Sequence, residues 1–278
     1  MRTQLDFRTP YAGPVHAVIF DWAGTTVDYG SLAPVAAFTE LFRRHGVAVS
    51  DDEARVPMGA HKKDHIRQLL AMESVARRWK EAHGVEAGPE EVEALYSEFI
   101  PLQTEIITRH ASLIPGAFEA VQSLKAIEIG IGSTTGYTRE MMASLLAESK
   151  RQGYEPDCTV CADEVPAGRP APWMALRAAM QLGVYPMAAC VKVGDTLADI
   201  AEGLNAGMWT VAVTKTGNEL GLAESDADAL PRNELSARLE AAARRLLLAG
   251  AHYTIDDVSE LPALIDSIND RLARGERP

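Results

Sequence analysis

Val15-His16-Ala17-Val18-Ile19-Phe20-Asp21-Trp22-Ala23-Gly24-Thr25-Thr26-Val27-Asp28 joins an almost unbroken apolar run to a carboxylate and a glycine-containing turn. Val15 to Phe20 reads as a strand buried on both faces, the pattern of a parallel sheet rather than of a half-exposed antiparallel one. Such a strand delivers Asp21 at its C-terminal end. Comparable runs recur downstream: Ile127 to Ser133 stops at Thr134-Thr135-Gly136, Ala189 to Val193 stops at Gly194-Asp195, and Trp209 to Val213 follows Gly207. Helical patterns separate them. The alternation predicts an α/β fold, a doubly wound parallel-sheet (Rossmann-like) core whose ligand crevice lies beyond the carboxyl ends of the strands.

Between the first strand and the second, residues from about Gly30 to about Ile114 contain no convincing strand. The spacing of Phe38, Leu41 and Phe42, and of Val92, Leu95, Phe99 and Leu102, is that of amphipathic helices. The segment therefore reads as an inserted all-helical cap domain at 30–111, with the core at 1–29 and 112–278. Tyr29-Gly30-Ser31 and Leu113-Ile114-Pro115-Gly116 mark its two hinges, because Gly and Pro punctuate the points where the chain leaves and re-enters the sheet. The Leu- and Ala-rich stretch from about Arg232 reads as helices packing on the sheet.

The 278 residues, 47% of them hydrophobic, suffice for one full domain and a smaller one. A net charge of −12 argues against a nucleic-acid partner, which needs clustered cations to displace counterions. No run approaches the roughly 20 apolar residues that span a bilayer, and the opening Met1 to Phe7 lacks the apolar stretch of a signal peptide, so a cytoplasmic protein with no membrane partner is expected. Cys158 and Cys161 stand in a C-x-x-C spacing, yet no second pair or His-x-x-x-His completes a zinc shell. They read as a short strand with buried thiols on opposite faces.

Asp21 at the mouth of the sheet can attack phosphorus. Three further elements, each following a strand or in the next loop, supply what phosphoryl transfer requires: Ser133-Thr134-Thr135-Gly136, Gly168-Arg169-Pro170, and Gly194-Asp195-Thr196-Leu197-Ala198-Asp199. Asp21 and Asp195 with a main-chain carbonyl form a hard oxygen shell suited to Mg²⁺. Thr135 and neighbouring backbone N–H groups, including the Gly136 turn, bind phosphoryl oxygens, and the forked cation of Arg169 adds to them. These elements, in this order, resemble the haloacid dehalogenase superfamily, whose members pass a phosphoryl group through an aspartyl phosphate. The resemblance implies Mg²⁺ held by Asp21, the Ala23 carbonyl and Asp195.

Most phosphatases of that superfamily carry a second Asp two residues after the nucleophile, as general acid toward an oxygen leaving group. Here that position is Ala23. A leaving group that is carbon needs its developing carbanion delocalised instead, and a lysine iminium on the adjacent carbon does this. The candidate lies in Pro57-Met58-Gly59-Ala60-His61-Lys62-Lys63-Asp64-His65, where helical spacing puts Met58, Lys62 and His65 on one face and points Lys63 elsewhere. Burial beside cations would lower the Lys62 pKa, and His65 is expected to shuttle protons. The chain then resembles the carbon–phosphorus-cleaving branch of the superfamily over nearly its whole length after Pro14. That resemblance implies Asp21 as nucleophile, Lys62 as Schiff-base lysine, a small phosphonate substrate bearing an aldehyde, and a homodimer through the cap. Ser31 and His61 depart from the branch's pattern, where a cysteine and an aliphatic residue are usual. The rivals are a phosphoester phosphatase or phosphomutase on the same scaffold, and a phosphate-binding protein without turnover. Asp28 and Asp199 are expected to order loops.

Overall fold

The structure, a computed structural model, describes residues 11–278. Residues 1–10, whose sequence was read as lacking a signal peptide, lie outside them. Six strands, β1 (Ala17–Phe20), β2 (Gly130–Thr135), β3 (Cys158–Cys161), β4 (Cys190–Gly194), β5 (Trp209–Val213) and β6 (Tyr253–Ile255), form one sheet in the order β3-β2-β1-β4-β5-β6. Every neighbouring pair is parallel. The chain winds outward from β1 through β2 to β3, returns to β4 beside β1, and winds outward the other way. The switch point therefore falls between β1 and β4, where a ligand crevice opens at the carboxyl ends. Register brings Phe20 level with Ser133 and Val193, so Asp21, Thr134 and Gly194 emerge together.

Side chains of β1 alternate between two cores. Val18 and Phe20 join the larger one with α6 (Ala117–Ala126), α7 (Arg139–Arg151) and α12 (Leu261–Ala273), while Ala17 and Ile19 face α8 (Trp173–Gln181). Both faces of the strand are buried, which is why it reads as a continuous apolar run. Helix α9 (Leu197–Ala206) packs on β4 and β5, and Ile200 and Ala212 meet Leu246 of α11 (Arg232–Leu248). The short helix α10 is Glu224–Ala229. Cys158 and Cys161 fall in different cores, on opposite faces of β3, and all three cysteines are free thiols.

The inserted cap consists of α1 (Leu32–Arg44), α2 (Asp51–Arg55), α3 (Lys62–Ala71), α4 (Glu73–His83) and α5 (Pro89–Ile107). The apolar positions read from the sequence, Phe38, Leu41, Phe42, Val92, Leu95, Phe99 and Leu102, are all buried and continuous with the larger core. Asp28 starts the cap: its carboxylate accepts from the backbone N–H of Leu32 at 3.1 Å and of Ala33 at 2.9 Å. It also pairs with His110 at 3.3 Å, so the outgoing and returning connections are tied together.

Two expectations need correction. The second strand begins at Gly130, not Ile127; Ile127 caps α6 and is exposed, because Glu128 adopts a positive φ that breaks the helix before the strand starts. The stretch after Arg232 is not only helical, since Tyr253–Ile255 pairs with β5 as an edge strand. Three residues between two long helices carry too little periodicity to be read as a strand.

Candidate active site

A closed cleft lies between the sheet's carboxyl edge and the cap, lined among others by Asp21, Ala23, Met58, Lys62, Thr135, Gly136, Arg169 and Asp195. Every one of these was singled out from the sequence, and the fold draws them together from five separate loops and turns. Thr135 is buried at the end of β2, its hydroxyl accepting from the Tyr137 N–H at 3.1 Å. Gly136 sits against the cap backbone: a Cβ there would approach the Ala60 carbonyl oxygen to 2.8 Å.

Arg169 is fully buried among carboxylates. Its Nη2 donates to Asp21 Oδ1 at 2.6 Å and its Nε to Glu202 Oε2 at 2.8 Å, and Asp199 Oδ1 lies 3.1 Å away. Nη2 also donates to the Thr134 hydroxyl at 2.9 Å. Lys192, buried on β4, pairs with Asp199 at 2.6 Å and lies 3.6 Å from Glu202. Nη1 of Arg169 is buried without a hydrogen-bond partner, a donor left over for a ligand oxygen.

Four buried carboxylates, Asp21, Asp195, Asp199 and Glu202, thus surround two buried cations, so that full ionisation would leave an excess of two negative charges. Burial, with Asp21 and Asp199 close by, pushes the Asp195 carboxyl well above its ordinary value; burial likewise raises Asp21 despite Arg169. Asp199 is held low: burial alone would raise it, but Arg169 and Lys192 outweigh that. Oxygens of Asp21, Asp195 and Asp199 lie within 4.8 Å of one another. Those of Asp199 are already engaged, Oδ1 by Lys192 and Oδ2 by the Thr196 hydroxyl at 2.5 Å. Asp195 Oδ2 accepts from the Asn218 N–H at 2.7 Å, and its Oδ1 has only a long 3.5 Å contact to Thr25. A divalent cation fits this donor set, because it neutralises the excess charge and finds hard oxygens on Asp21 and Asp195.

Lys62 is the first residue of α3 and is 4% exposed. Burial lowers its pKa from 10.5 to about 8, with the Asp21 charge opposing and Arg169 assisting. Its ammonium end lies 4.8 Å from the Tyr137 ring centroid and 5.6 Å from that of Phe38. Lys63 points away and pairs with Glu93, as its spacing implied.

Met58 lines the cleft, but not from the face of a helix shared with Lys62. α3 begins only at Lys62, capped by His61, and Met58 belongs to the preceding turn with Gly59 at φ +86°. A Cβ on Gly59 would strike the Thr196 hydroxyl, so the turn lies directly on the core loop that follows Asp195. His65 follows Lys62 on α3, one turn on, and is buried. It is stacked on Phe38 at 3.7 Å and its Nε2 donates to the Ala54 carbonyl at 2.9 Å, with burial and Lys62 holding it neutral; it does not line the cleft. The ring ties α2 to α3 through Ala54, while its Nδ1 is buried without a hydrogen-bond partner. Ser31 lines the cleft at the position where the branch usually has a cysteine, and His61 turns its Nδ1 back to the Lys63 N–H at 3.3 Å.

Lys192, Glu202 and Thr134 were missed. A signal existed for Lys192, since a charged residue inside Cys190-Val191-Lys192-Val193 is rarely buried without a partner. Glu202 gave none, being one glutamate on an amphipathic helix.

A parallel sheet whose switch point bears an aspartate, an arginine and a second carboxylate pair beneath a helical cap defines a phosphoryl-transferring hydrolase class. The family model for haloacid dehalogenase-like hydrolases matches residues 15–207. Phosphonoacetaldehyde hydrolase of Nitratidesulfovibrio vulgaris is 50% identical over 268 residues, 96% of each chain, and that of Syntrophobacter fumaroxidans 48% identical over 269 residues, 97% of each. The crystal structure of a phosphonoacetaldehyde hydrolase like protein from Oleispira antarctica superposes with a TM-score of 0.97 at 48% identity, covering 99% of both chains. The chain belongs to the haloacid dehalogenase-like hydrolases, in the group formed by these phosphonoacetaldehyde hydrolases.

Proposed function

We propose that this enzyme hydrolyses the carbon–phosphorus bond of phosphonoacetaldehyde to acetaldehyde and phosphate, in the breakdown of 2-aminoethylphosphonate. The observation that carries the mechanism is Lys62: a buried lysine with its pKa lowered to about 8, in one cleft with Asp21, at a site where Ala23 replaces the usual acid. An ordinary phosphoester hydrolase has no use for such an amine. It needs an acid that alanine cannot supply.

In the proposed cycle the free Lys62 amine attacks the aldehyde carbon, and the carbinolamine loses water to give an iminium. A carboxylate oxygen of Asp21 then attacks phosphorus in line. The carbon–phosphorus electron pair moves into the iminium, so the leaving group is a neutral enamine. Protonation at carbon and hydrolysis of the resulting iminium release acetaldehyde and restore Lys62; water cleaves the aspartyl phosphate. Arg169 and Thr135 hold phosphonate oxygens throughout, the spare Nη1 of Arg169 being the free donor. Magnesium, held by Asp21, Asp195 and the Ala23 carbonyl, would screen the phosphonate charge from the anionic nucleophile. His65, one turn from Lys62 on α3 and with a buried Nδ1 that has no hydrogen-bond partner, would shuttle protons as the imine forms and breaks down. The same reading takes the assembly to be a homodimer through the cap, checked by light scattering of the purified chain.

Treatment with phosphonoacetaldehyde, Mg²⁺ and borohydride, followed by peptide mass spectrometry, tests the mechanism. A reduced adduct on Lys62, absent in Lys62→Arg, is expected alongside phosphate and acetaldehyde from untreated enzyme. No adduct, with good turnover of phosphoesters, would return the site to the phosphatase reading.

A further inference from the structure

The cleft over Asp21 has a volume of about 20 Å³, close to the space one water occupies by the same measure. A phosphonate therefore reaches Asp21 only when the cap moves off the sheet, and reaction requires the cap to return to one register. One cap side chain grips the core beside the cleft. Arg55, the last residue of α2, donates from Nη1 to the Gly30 carbonyl at 2.8 Å and to Asn218 Oδ1 at 3.2 Å, and from Nη2 to the Gly221 carbonyl at 2.9 Å. Gly30 belongs to the connection into the cap; Asn218 and Gly221 belong to the core loop after β5. Gly221 has φ +65°, and a Cβ there would lie 2.6 Å from Arg55 Nε, so this loop has room for the guanidinium only as glycine.

Both ends of this contact lead to the reacting groups. On the core side, Asn218 donates its backbone N–H to Asp195 Oδ2. On the cap side, Ala54 beside Arg55 accepts from His65, which lies within one turn of Lys62 on α3, and the Arg55 carbonyl accepts from the Met58 N–H at 3.1 Å. All three acceptors of the guanidinium are neutral oxygens. A forked, planar cation reaches them at once, whereas an ammonium on a flexible stem does not.

We propose that Arg55 is the clasp of the closed state, a positioning residue that registers the cap on the core so that Lys62 meets Asp21. Resting on the Lys62 and Asp21 roles given above, this predicts that loss of the clasp slows phosphoryl transfer and leaves Lys62 able to condense with an aldehyde.

The test uses the full chain with Mg²⁺ and compares wild type, Arg55→Ala and Arg55→Lys. Arg55→Ala is expected to lower kcat for phosphate release by roughly 10- to 100-fold, the scale of a small misplacement of reacting groups. Millimolar guanidinium ion should recover part of that loss, and Arg55→Lys should not restore wild-type kcat. Labelling of Lys62 by acetaldehyde and borohydride at pH 9.5, where even an exposed lysine has free amine, should equal or exceed that of wild type in both variants. Wild-type kcat in Arg55→Ala overturns the proposal, and so does an equal loss of labelling and turnover in a folded variant. If Arg55→Ala does not fold, Arg55→Lys is read by the same criteria. A wild type that releases phosphate but is never labelled refutes the Lys62 imine and leaves the kcat comparison to decide on Arg55.

Discussion

Replacing Lys62 by methionine should make the metal-free protein more stable while ending its turnover. The buried amine has a pKa of about 8 against 10.5 for a free lysine, so the fold prefers it neutral. At pH 7 the unfolded chain carries the charge without penalty and the folded chain does not. At about 1.4 kcal/mol per unit, the site costs about 3 kcal/mol at pH 7. The sign is set by linkage. A lysine with a depressed folded-state pKa imposes no cost above pH 10.5, and the cost builds as pH falls through the interval down to 8. Methionine has a similar unbranched shape and no charge to desolvate. Urea unfolding of wild type and Lys62→Met in EDTA, at pH 7 and again at pH 10.5, measures the difference. The expected gain is about 3 kcal/mol at the lower pH and under about 1 kcal/mol at the higher. An equal gain at both values would show that packing, not ionisation, sets it; no gain at pH 7 would refute the account of Lys62 as a strained amine. The same depression raises the free-amine fraction at pH 7 about 300-fold over an ordinary lysine, which is what the proposed chemistry gains from the strain.

Three further outcomes are expected. Mg²⁺ at 100 times its dissociation constant should stabilise the protein by about 2.7 kcal/mol relative to EDTA, and Asp195→Asn should abolish that increment in thermal melts. Gly59→Ala places a methyl against the Thr196 hydroxyl at φ +86°, and should lower kcat by about tenfold or more through loss of cap registration, with circular dichroism unchanged. Glu202→Gln removes the carboxylate from Arg169 Nε and should destabilise the Mg²⁺-bound protein by about 3 kcal/mol; the loss should be smaller in EDTA, where the cluster carries excess negative charge.

Much of the site was legible because each catalytic candidate sits beside a signal of its own. Asp21 comes after an apolar run, Thr135 after a second, and Asp195 after a third, and parallel strands gather their C-terminal residues at one edge of the sheet. Ala23 was informative as a departure at a position where the superfamily has a carboxylate. Met58, Lys62 and His65 were harder. Their spacing fits one helical face, yet Gly59 at positive φ keeps Met58 out of the helix, and His65 turns into the cap core to bond Ala54. Spacing gives an angle around an axis and cannot say where the axis begins.

Sequence alone determined the class of fold, the order of the strand-end elements, the helical nature of the insertion and the residues able to carry the chemistry. All of these are local: an apolar run, a period, a residue type at a turn. Tertiary structure decided what surrounds each group. That Arg169 lies among three carboxylates, that Lys192 and Glu202 share its charge network, and that Arg55 spans from α2 to Gly30, Asn218 and Gly221 are matters of residues far apart in the chain meeting in space. The depressed pKa of Lys62 belongs with them. It comes from desolvation, which no single residue carries and which exists only once the cap rests on the sheet.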